Sequence, residues 1–347
     1  MTVLAVETSC DDTCAAVVGG EGRIRSNVIS SQEVHDRFGG VVPEIASRHH
    51  LELVNLVVEQ ALADAGVTLQ GIDLVAATQG PGLVGALLVG LSTAKAIAAA
   101  RELPFAPVDH IQGHVAANFL AGEDAEPAFE PPFLCLIASG GHTLLTQVAE
   151  HDRFTVLGRT LDDAAGEAFD KGARMLGLGY PGGAALERLA AGGDPGAFPI
   201  PGSRGERARG GRGPGRQAFA NSLDFSFAGL KTALLYRLRE LGEAQVHERA
   251  ADLGASYQAA IVDSLVFRAE QALERTGAAR LAVGGGVAAN GELRRRLGEL
   301  GATVHVPPRE LCTDNAAMIA SAALHGGQLA YPEYLGLDAY ATGEGSP

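Results

Sequence analysis

The chain of 347 residues has no tryptophan, only 5% aromatic residues and four cysteines. Beside 46 glycines and a hydrophobic fraction of 46%, that scarcity describes a globular protein rich in Ala, Val, Leu and Gly, with many tight turns. It excludes a disordered or fibrous chain. Cys10, Cys14, Cys135 and Cys312 form no CxxC pair, so neither a zinc ribbon nor a redox dithiol is expected and reduced, buried thiols are. Basic residues are also few: 27 Lys and Arg against 41 Asp and Glu give a formal charge of −14. The overall field therefore does not hold nucleic acid, and any RNA contact must be local or shared with partners. Neither a GxxxxGK[ST] nor a GxGxxG nucleotide motif occurs. MTVLAVETSC lacks a basic region followed by an apolar core, and the apolar stretch Leu83 to Ala100 is broken by Gly85, Gly90, Ser92, Thr93 and Lys95. No secretory leader and no membrane span is expected, and the reading is a soluble cytoplasmic protein, of two domains by its length.

Residues 2–9 read as an apolar strand running into ETSCDD, and residues 13–18 as its return, a hairpin with acidic and hydroxyl side chains in the turn. The pattern recurs where PFLCLIA enters SGGHT and leaves through LLTQVAE, which suggests an internal duplication. Apolar residues at three- and four-residue spacing predict helices over 44–65, 83–100, 163–176 and 250–276, with strands such as Leu74 to Thr78 and Leu281 to Val283 between them. The expected fold is α/β with two similar lobes, by analogy the architecture of actin, sugar kinases and heat-shock ATPases. The run GSRGERARGGRGPGRQ has no apolar period and carries five arginines between Arg204 and Arg216. At about 202–217 it reads as a mobile, solvated insertion, with contact to RNA phosphate as the alternative.

His110 and His114 stand four apart in DHIQGHVAAN, so a helix would set both imidazoles on one face, where they could share a metal. Chance alone would give such a pair about 0.3 times in this composition, so a third ligand is needed. Ile111 occupies the position of the HExxH glutamate, which deprives a metalloprotease reading of its base. Asp314, at the start of an Ala-rich helix, is the candidate third ligand; otherwise it is an ordinary residue favoured by the helix dipole. Two His and one carboxylate suit Fe2+ or Zn2+. Ser139, Gly140 and Gly141 with His142, then Gly182 and Gly183, then Gly284 to Gly286 form three glycine turns of a size for phosphate. Asn290 could bond a ribose or base, or cap the helix that follows. Asp162, Asp163, Glu167 and Asp170 fall at spacings that would gather them on one helical arc. Asp11 and Asp12 could orient a metal-bound phosphate or a nucleophile.

ETSCDDT, HIQGH, ASGGHT, LDDAAGEAFDK, FSFAGLKTA, GGGVAAN and CTDNAAMIA follow one another between residues 7 and 320. In order and wording they resemble the TsaD family of tRNA threonylcarbamoyladenosine transferases. The resemblance implies an actin-like ATPase (ASKHA) fold with two RNase H-like lobes around a nucleotide and metal cleft, lobe I being 1–108 plus about 311–330 and lobe II 109–310. It implies transfer of a threonylcarbamoyl group from threonylcarbamoyl-AMP to N6 of adenosine 37 in tRNAs reading ANN codons, with release of AMP. His110, His114 and Asp314 would be the metal ligands, usually for iron and sometimes for zinc. Ile137, Ala138, Ser139, Gly140, Gly141, His142, Asp170, Gly183 and Asn290 would bind the adenylate, with Glu187 where the family commonly has Asp. Asp11 and Asp12 are the candidates for taking the amine proton. Implied partners are tRNA, a TsaB-like paralogue and a TsaE-like ATPase. The sequence departs from the family at Ala228, where Ser is common, and at the Arg/Gly insertion. Competing readings are an actin-like ATPase or kinase, which has no need of the histidine pair, a metal-dependent glycoprotein endopeptidase, and a noncatalytic scaffold, which would have lost the triad.

Overall fold

The computed structural model describes residues 1–121, 129–200, 219 and 221–341; the Arg/Gly insertion lies outside them. The chain divides into two compact units, one of Met1–Pro131, Glu150–Arg153 and Pro307–Pro347, the other of Pro132–Ala149 and Phe154–Val306.

The first unit is built on β1 (Thr2–Glu7), β2 (Asp12–Gly19), β3 (Ile24–Ser31), β4 (Leu74–Gly80) and β5 (Phe105–Asp109), in the sheet order β3-β2-β1-β4-β5. β1 and β2 form the expected hairpin, with Thr2 opposite Gly19 and Glu7 opposite Cys14, while β4 and β5 run parallel to β1. β1 is buried at every residue because helices shield it, so its apolar side chains do not alternate. α1 (Pro43–Asp64) starts with Pro at its first turn, and α2 (Val84–Ala100) follows β4; both pack on the core of Leu4, Val6, Val17, Val57 and Leu91. The seven-residue helix α3 (His110–Ala116) then leaves β5 directly.

The second unit repeats this topology. β6 (Phe133–Ala138), β7 (Thr143–Glu150), β8 (Arg153–Arg159), β9 (Arg280–Gly284) and β10 (Thr303–His305) lie in the order β10-β9-β6-β7-β8, the first order with each strand replaced by its counterpart. The hairpin β6–β7 is antiparallel and β9 is parallel to β6, as in the first unit. Around the sheet stand α4 (Ala165–Met175), α5 (Gly182–Ala190), α6 (Ala228–Glu248), α7 (Ala250–Thr276) and α8 (Gly291–Leu297). α7 covers the span predicted from its periodicity and stops at Gly277, whose φ of 68° is the left-handed cap that glycine adopts without strain. α4 starts at Ala165, later than predicted, so Asp162 and Asp163 precede the helix and the proposed four-carboxylate arc is not formed. Asp162 instead accepts bonds from the Ser226 hydroxyl and the Phe227 and Ala228 amides, while Asp163 and Glu167 both hold Lys171.

Gly285, just after β9, has a φ of 87°, and a Cβ there would overlap the Ala138 carbonyl. Gly285→Ala combines a steric clash with backbone strain, and urea denaturation should show a loss of about 2 to 4 kcal/mol.

The chain returns to the first unit with α9 (Arg309–Cys312) and α10 (Ala316–His325). α10 is Ala-rich, almost wholly buried, and packs on α3, β1 and β2. Gly113 makes this approach possible, since a Cβ there would lie 2.8 Å from Ile319 Cδ1. No helix among the described residues is long and apolar enough to cross a membrane.

Candidate active site

Two helix ends bring the histidine pair and Asp314 together in the first unit. Asp109 caps α3 by accepting from the amides of Ile111 (2.8 Å) and Gln112 (3.1 Å), which fixes the turn carrying His110 and His114. Asn315 caps α10 through the Met318 amide, leaving Asp314 just outside that helix. The result sets His114 Nε2 3.3 Å and His110 Nε2 3.6 Å from Asp314 Oδ1. These three are the only His, Cys, Asp or Glu group among the described residues whose ligand atoms converge, all within 4.8 Å.

The donor set fits a divalent ion. Donors about 2.1 Å from a tetrahedral ion lie about 3.4 Å apart, close to the 3.6 and 3.3 Å between the histidine nitrogens and Asp314. His114 is 0% exposed and neither ring nitrogen has a hydrogen bond among the described residues, which is costly for an imidazole unless something else takes a lone pair. His110 is oriented from behind: its Nδ1 lies 3.1 Å from Glu7 Oε2 and 3.2 Å from Ser9 Oγ, so Nε2 is the atom presented to Asp314. Glu7 is wholly buried and also accepts from the Ser9 amide and from Thr78 Oγ1 (2.5 Å). No motif spacing singles out Glu7. Its signal was a carboxylate ending the apolar run TVLAVE, where burial obliges it to find donors.

The acidic groups set the electrostatics. Burial opposes a charged His110, but Asp314 and then Glu7 outweigh it and push the imidazole up to about 9. Burial likewise opposes a charged Glu7, yet His110 holds that carboxyl below its usual range. Burial, followed by Asp314 and Asp11, pushes Asp12 up to about 7. Asp11 and Asp12 are both half-buried at the β1–β2 turn, whose Cys10 carbonyl accepts from His50 Nε2 at 2.9 Å. None of the four cysteines is in a disulfide; Cys10 is half-buried and the others are buried.

Ion-free protein should therefore lose stability as pH rises. His110's folded value of about 9 lies above the ordinary 6.5, so its contribution is complete below 6.5 and is lost as pH rises through 9. Asp12's contribution is complete below 3.8 and is lost as pH rises through about 7. Glu7, depressed, acts in the opposite sense, losing its contribution as pH falls below its ordinary 4.5. Urea unfolding of chelator-treated protein at pH 6 and pH 9 should show a decrease on the order of 3 to 4 kcal/mol, most of it from His110 and the rest from Asp12. Saturating Zn2+ should remove most of that slope, because the ion takes the proton's place.

In the second unit two of the three glycine turns stand at the ends of two neighbouring strands. Ile137 pairs with Gly284, so the ends of β6 and β9 lie side by side. Ser139 closes its turn by donating from its amide to the His142 carbonyl, and the His142 amide donates to Ser139 Oγ. Gly140 and Gly141 at the tip are exposed, and a Cβ on either would meet no atom of the other described residues within 4 Å. Behind the turn, Gly166 donates to the Ser139 carbonyl at 3.0 Å, and a Cβ there would lie 2.7 Å from that oxygen, so α4 starts hard against the turn. Asp170 Oδ1 accepts from the Gly182 amide (2.8 Å), which fixes the start of α5 and with it Gly183. Glu187 accepts from the Gly291 amide (2.8 Å). Asn290 caps α8 through the Leu293 amide and donates to Gln258 Oε1 at 2.9 Å, so both ends of its amide have protein partners. A cavity of about 600 Å3 lined by Glu21, Arg23 and Arg25 shares no residue with either cluster.

The family model described as tRNA N6-adenosine threonylcarbamoyltransferase matches residues 23–321. The chain is 52% identical over 328 residues to the protein of that name from Symbiobacterium thermophilum, covering 93% of this chain and 91% of that one. It is 51% identical over 347 residues to the one from Pelobacter propionicus, covering 99% and 97%. Among solved structures it is similar to component A of the (R)-2-hydroxyglutaryl-CoA dehydratase of Acidaminococcus fermentans, with a TM-score of 0.55, 14% identity and coverage of 96% of this chain and 99% of that one. It is also similar to HypF of T. kodakarensis, with a TM-score of 0.59, 14% identity and coverage of 93% and 47%. At such identities the likeness shows the fold alone, the actin-like ATPase fold with its two repeated sheets. From 45 to 52% identity over most of its length to eight transferases of one name, and a family match across residues 23–321, the chain belongs to the tRNA N6-adenosine threonylcarbamoyltransferase family.

Proposed function

We propose that this chain transfers a threonylcarbamoyl group from threonylcarbamoyl adenylate to N6 of adenosine 37 in tRNAs reading ANN codons. The observation that carries the chemistry is the buried His114, its two nitrogens without hydrogen bonds, beside Asp314 and a His110 held by Glu7. His110, His114 and Asp314 would hold one divalent ion, Fe2+ or Zn2+. When bound, such an ion polarises a carbonyl or phosphoryl oxygen and favours charge developing there.

The chain's own part is to position and to exchange a proton. The exposed amides of the Gly140–Gly141 turn are free of side chains and suit an adenylate phosphate, with Ile137, Ala138, Ser139 and His142 forming the turn's base. Asp170, Gly183, Glu187 and Asn290 would frame the nucleoside, and Asn290 would exchange its bond to Gln258 for one to the ligand. In the reaction the adenine N6 attacks the carbamoyl carbon, the bond from that carbon to the phosphate oxygen breaks, AMP departs and N6 loses a proton. Asp12, raised to about 7 without an ion, and Asp11 are the carboxylates proposed to take it. Adenine's exocyclic amine is a weak nucleophile, so orientation supplies much of the rate.

The net charge of −14 leaves the field for RNA to partners, for which a TsaB-like paralogue and a TsaE-like ATPase are proposed, with tRNA as the substrate and the cytoplasm as the proposed compartment. The test is transfer of labelled threonine, supplied as the adenylate, into an ANN-decoding tRNA by the chain with those partners, scored as modified nucleoside after digestion. Label in adenosine 37 supports the reading. No label, with ADP released from ATP by the chain alone, would move the chain to the actin-like ATPase reading.

A further inference from the structure

The last described stretch of the first unit is bonded along its length to β4, β5 and α2. Leu329 and Phe105 exchange amide-to-carbonyl bonds of 2.8 and 2.9 Å, and Tyr334 is buried with its ring centroid 5.3 Å from that of Phe105. Lys95 Nζ donates to the carbonyls of Leu335 (3.2 Å) and Leu337 (2.7 Å), and Gln79 Nε2 donates to that of Asp338 (2.9 Å). The Tyr340 amide donates to the Gln79 carbonyl at 3.2 Å. Gly80 admits the residue, since a Cβ there would overlap the Tyr340 carbonyl and lie 2.7 Å from its ring. The backbone thus places Tyr340 firmly, and its hydroxyl donates to Asp109 Oδ2 at 2.6 Å.

We infer that Tyr340 is a positioning residue for the ion site, locking the carboxylate whose other oxygen caps the helix that carries both histidines. Asp109 divides its labour: Oδ1 takes the Ile111 and Gln112 amides, Oδ2 the phenol. A capping carboxylate with one oxygen unbonded can rotate and exchange its acceptors; the phenol removes that freedom. α3 has seven residues, about two turns, too short to hold its own conformation. His110 is its first residue, so the direction of the cap sets the direction of Nε2 toward Asp314. Burial and Asp109 hold the phenol well above its usual range, so it remains a donor throughout the working pH range.

This inference rests on the ion-site reading, and the test separates the two. Chelator-treated full chain, as wild type, Tyr340→Phe, Gln79→Ala and His114→Ala, is titrated with Co2+ while visible absorption reports both affinity and geometry. Tyr340→Phe should bind about tenfold more weakly with an altered d–d spectrum, as loss of a supporting bond behind a ligand does. Gln79→Ala, which cuts the bond to the Asp338 carbonyl and keeps the phenol, should match wild type. Wild-type affinity and spectrum in Tyr340→Phe overturn the inference and leave the site standing. Equal weakening in Gln79→Ala also overturns it, assigning the effect to the whole tail segment. Unchanged Co2+ binding in His114→Ala overturns the site, and the inference with it.

Discussion

His114→Ala should abolish ion binding and reduce transfer at least 100-fold while leaving the protein within about 1 kcal/mol of its original stability. Two opposing effects produce the small stability change. The imidazole is 0% exposed with neither nitrogen hydrogen-bonded, so removing it from ion-free protein relieves an unsatisfied buried group worth about 1 to 3 kcal/mol. The cavity left behind costs a similar amount, about 2 kcal/mol for a side chain of that size. A histidine serving only the core would give the reverse pattern, with activity kept and stability lost. Isothermal titration with Zn2+, urea unfolding and the transfer assay on one preparation decide between them.

Glu7→Gln should lose both properties. The carboxylate faces donors with both oxygens: the Ser9 amide on Oε1, and Thr78 Oγ1 and His110 Nδ1 on Oε2. An amide of the same shape must turn an N–H toward the Ser9 amide or toward Thr78 Oγ1 and His110 Nδ1, at a position that is 0% exposed. A stability loss of about 2 to 4 kcal/mol is expected for such a buried, broken network. The bond that orients His110 also goes, so ion affinity should fall about 10- to 100-fold. Calorimetric unfolding together with ion titration reads both. Full stability in Glu7→Gln would mean that the carboxylate does not hold this network.

Parts of this arrangement were open to reading because they rest on local periodicity. α1, α2 and α7 carry apolar residues at helical spacing along their length, and the strands β1 and β6 are unbroken apolar runs. α6 gave no such signal, since it buries only Leu230 and Leu234, and β3 is mostly half-buried and polar. His110 and His114 were legible because four residues of helix bring them together, whereas Asp314 depends on α10 settling against α3 through Gly113. The tie from Glu7 to His110 spans 103 positions and that from Tyr340 to Asp109 spans 231, and no spacing rule reaches so far. The carboxylate run 162–170 has helical spacing but forms no single arc, because Ala164 still has extended backbone.

The most direct test of the account is single-turnover transfer from threonylcarbamoyl adenylate to an ANN-decoding tRNA, with the chain and its partners first stripped of metal and then resupplied with Fe2+ or Zn2+. Loss of modified adenosine on stripping, recovery on resupply, and no recovery in His114→Ala is the predicted result. Full transfer by the stripped enzyme, or recovery in the His114→Ala protein, would contradict it.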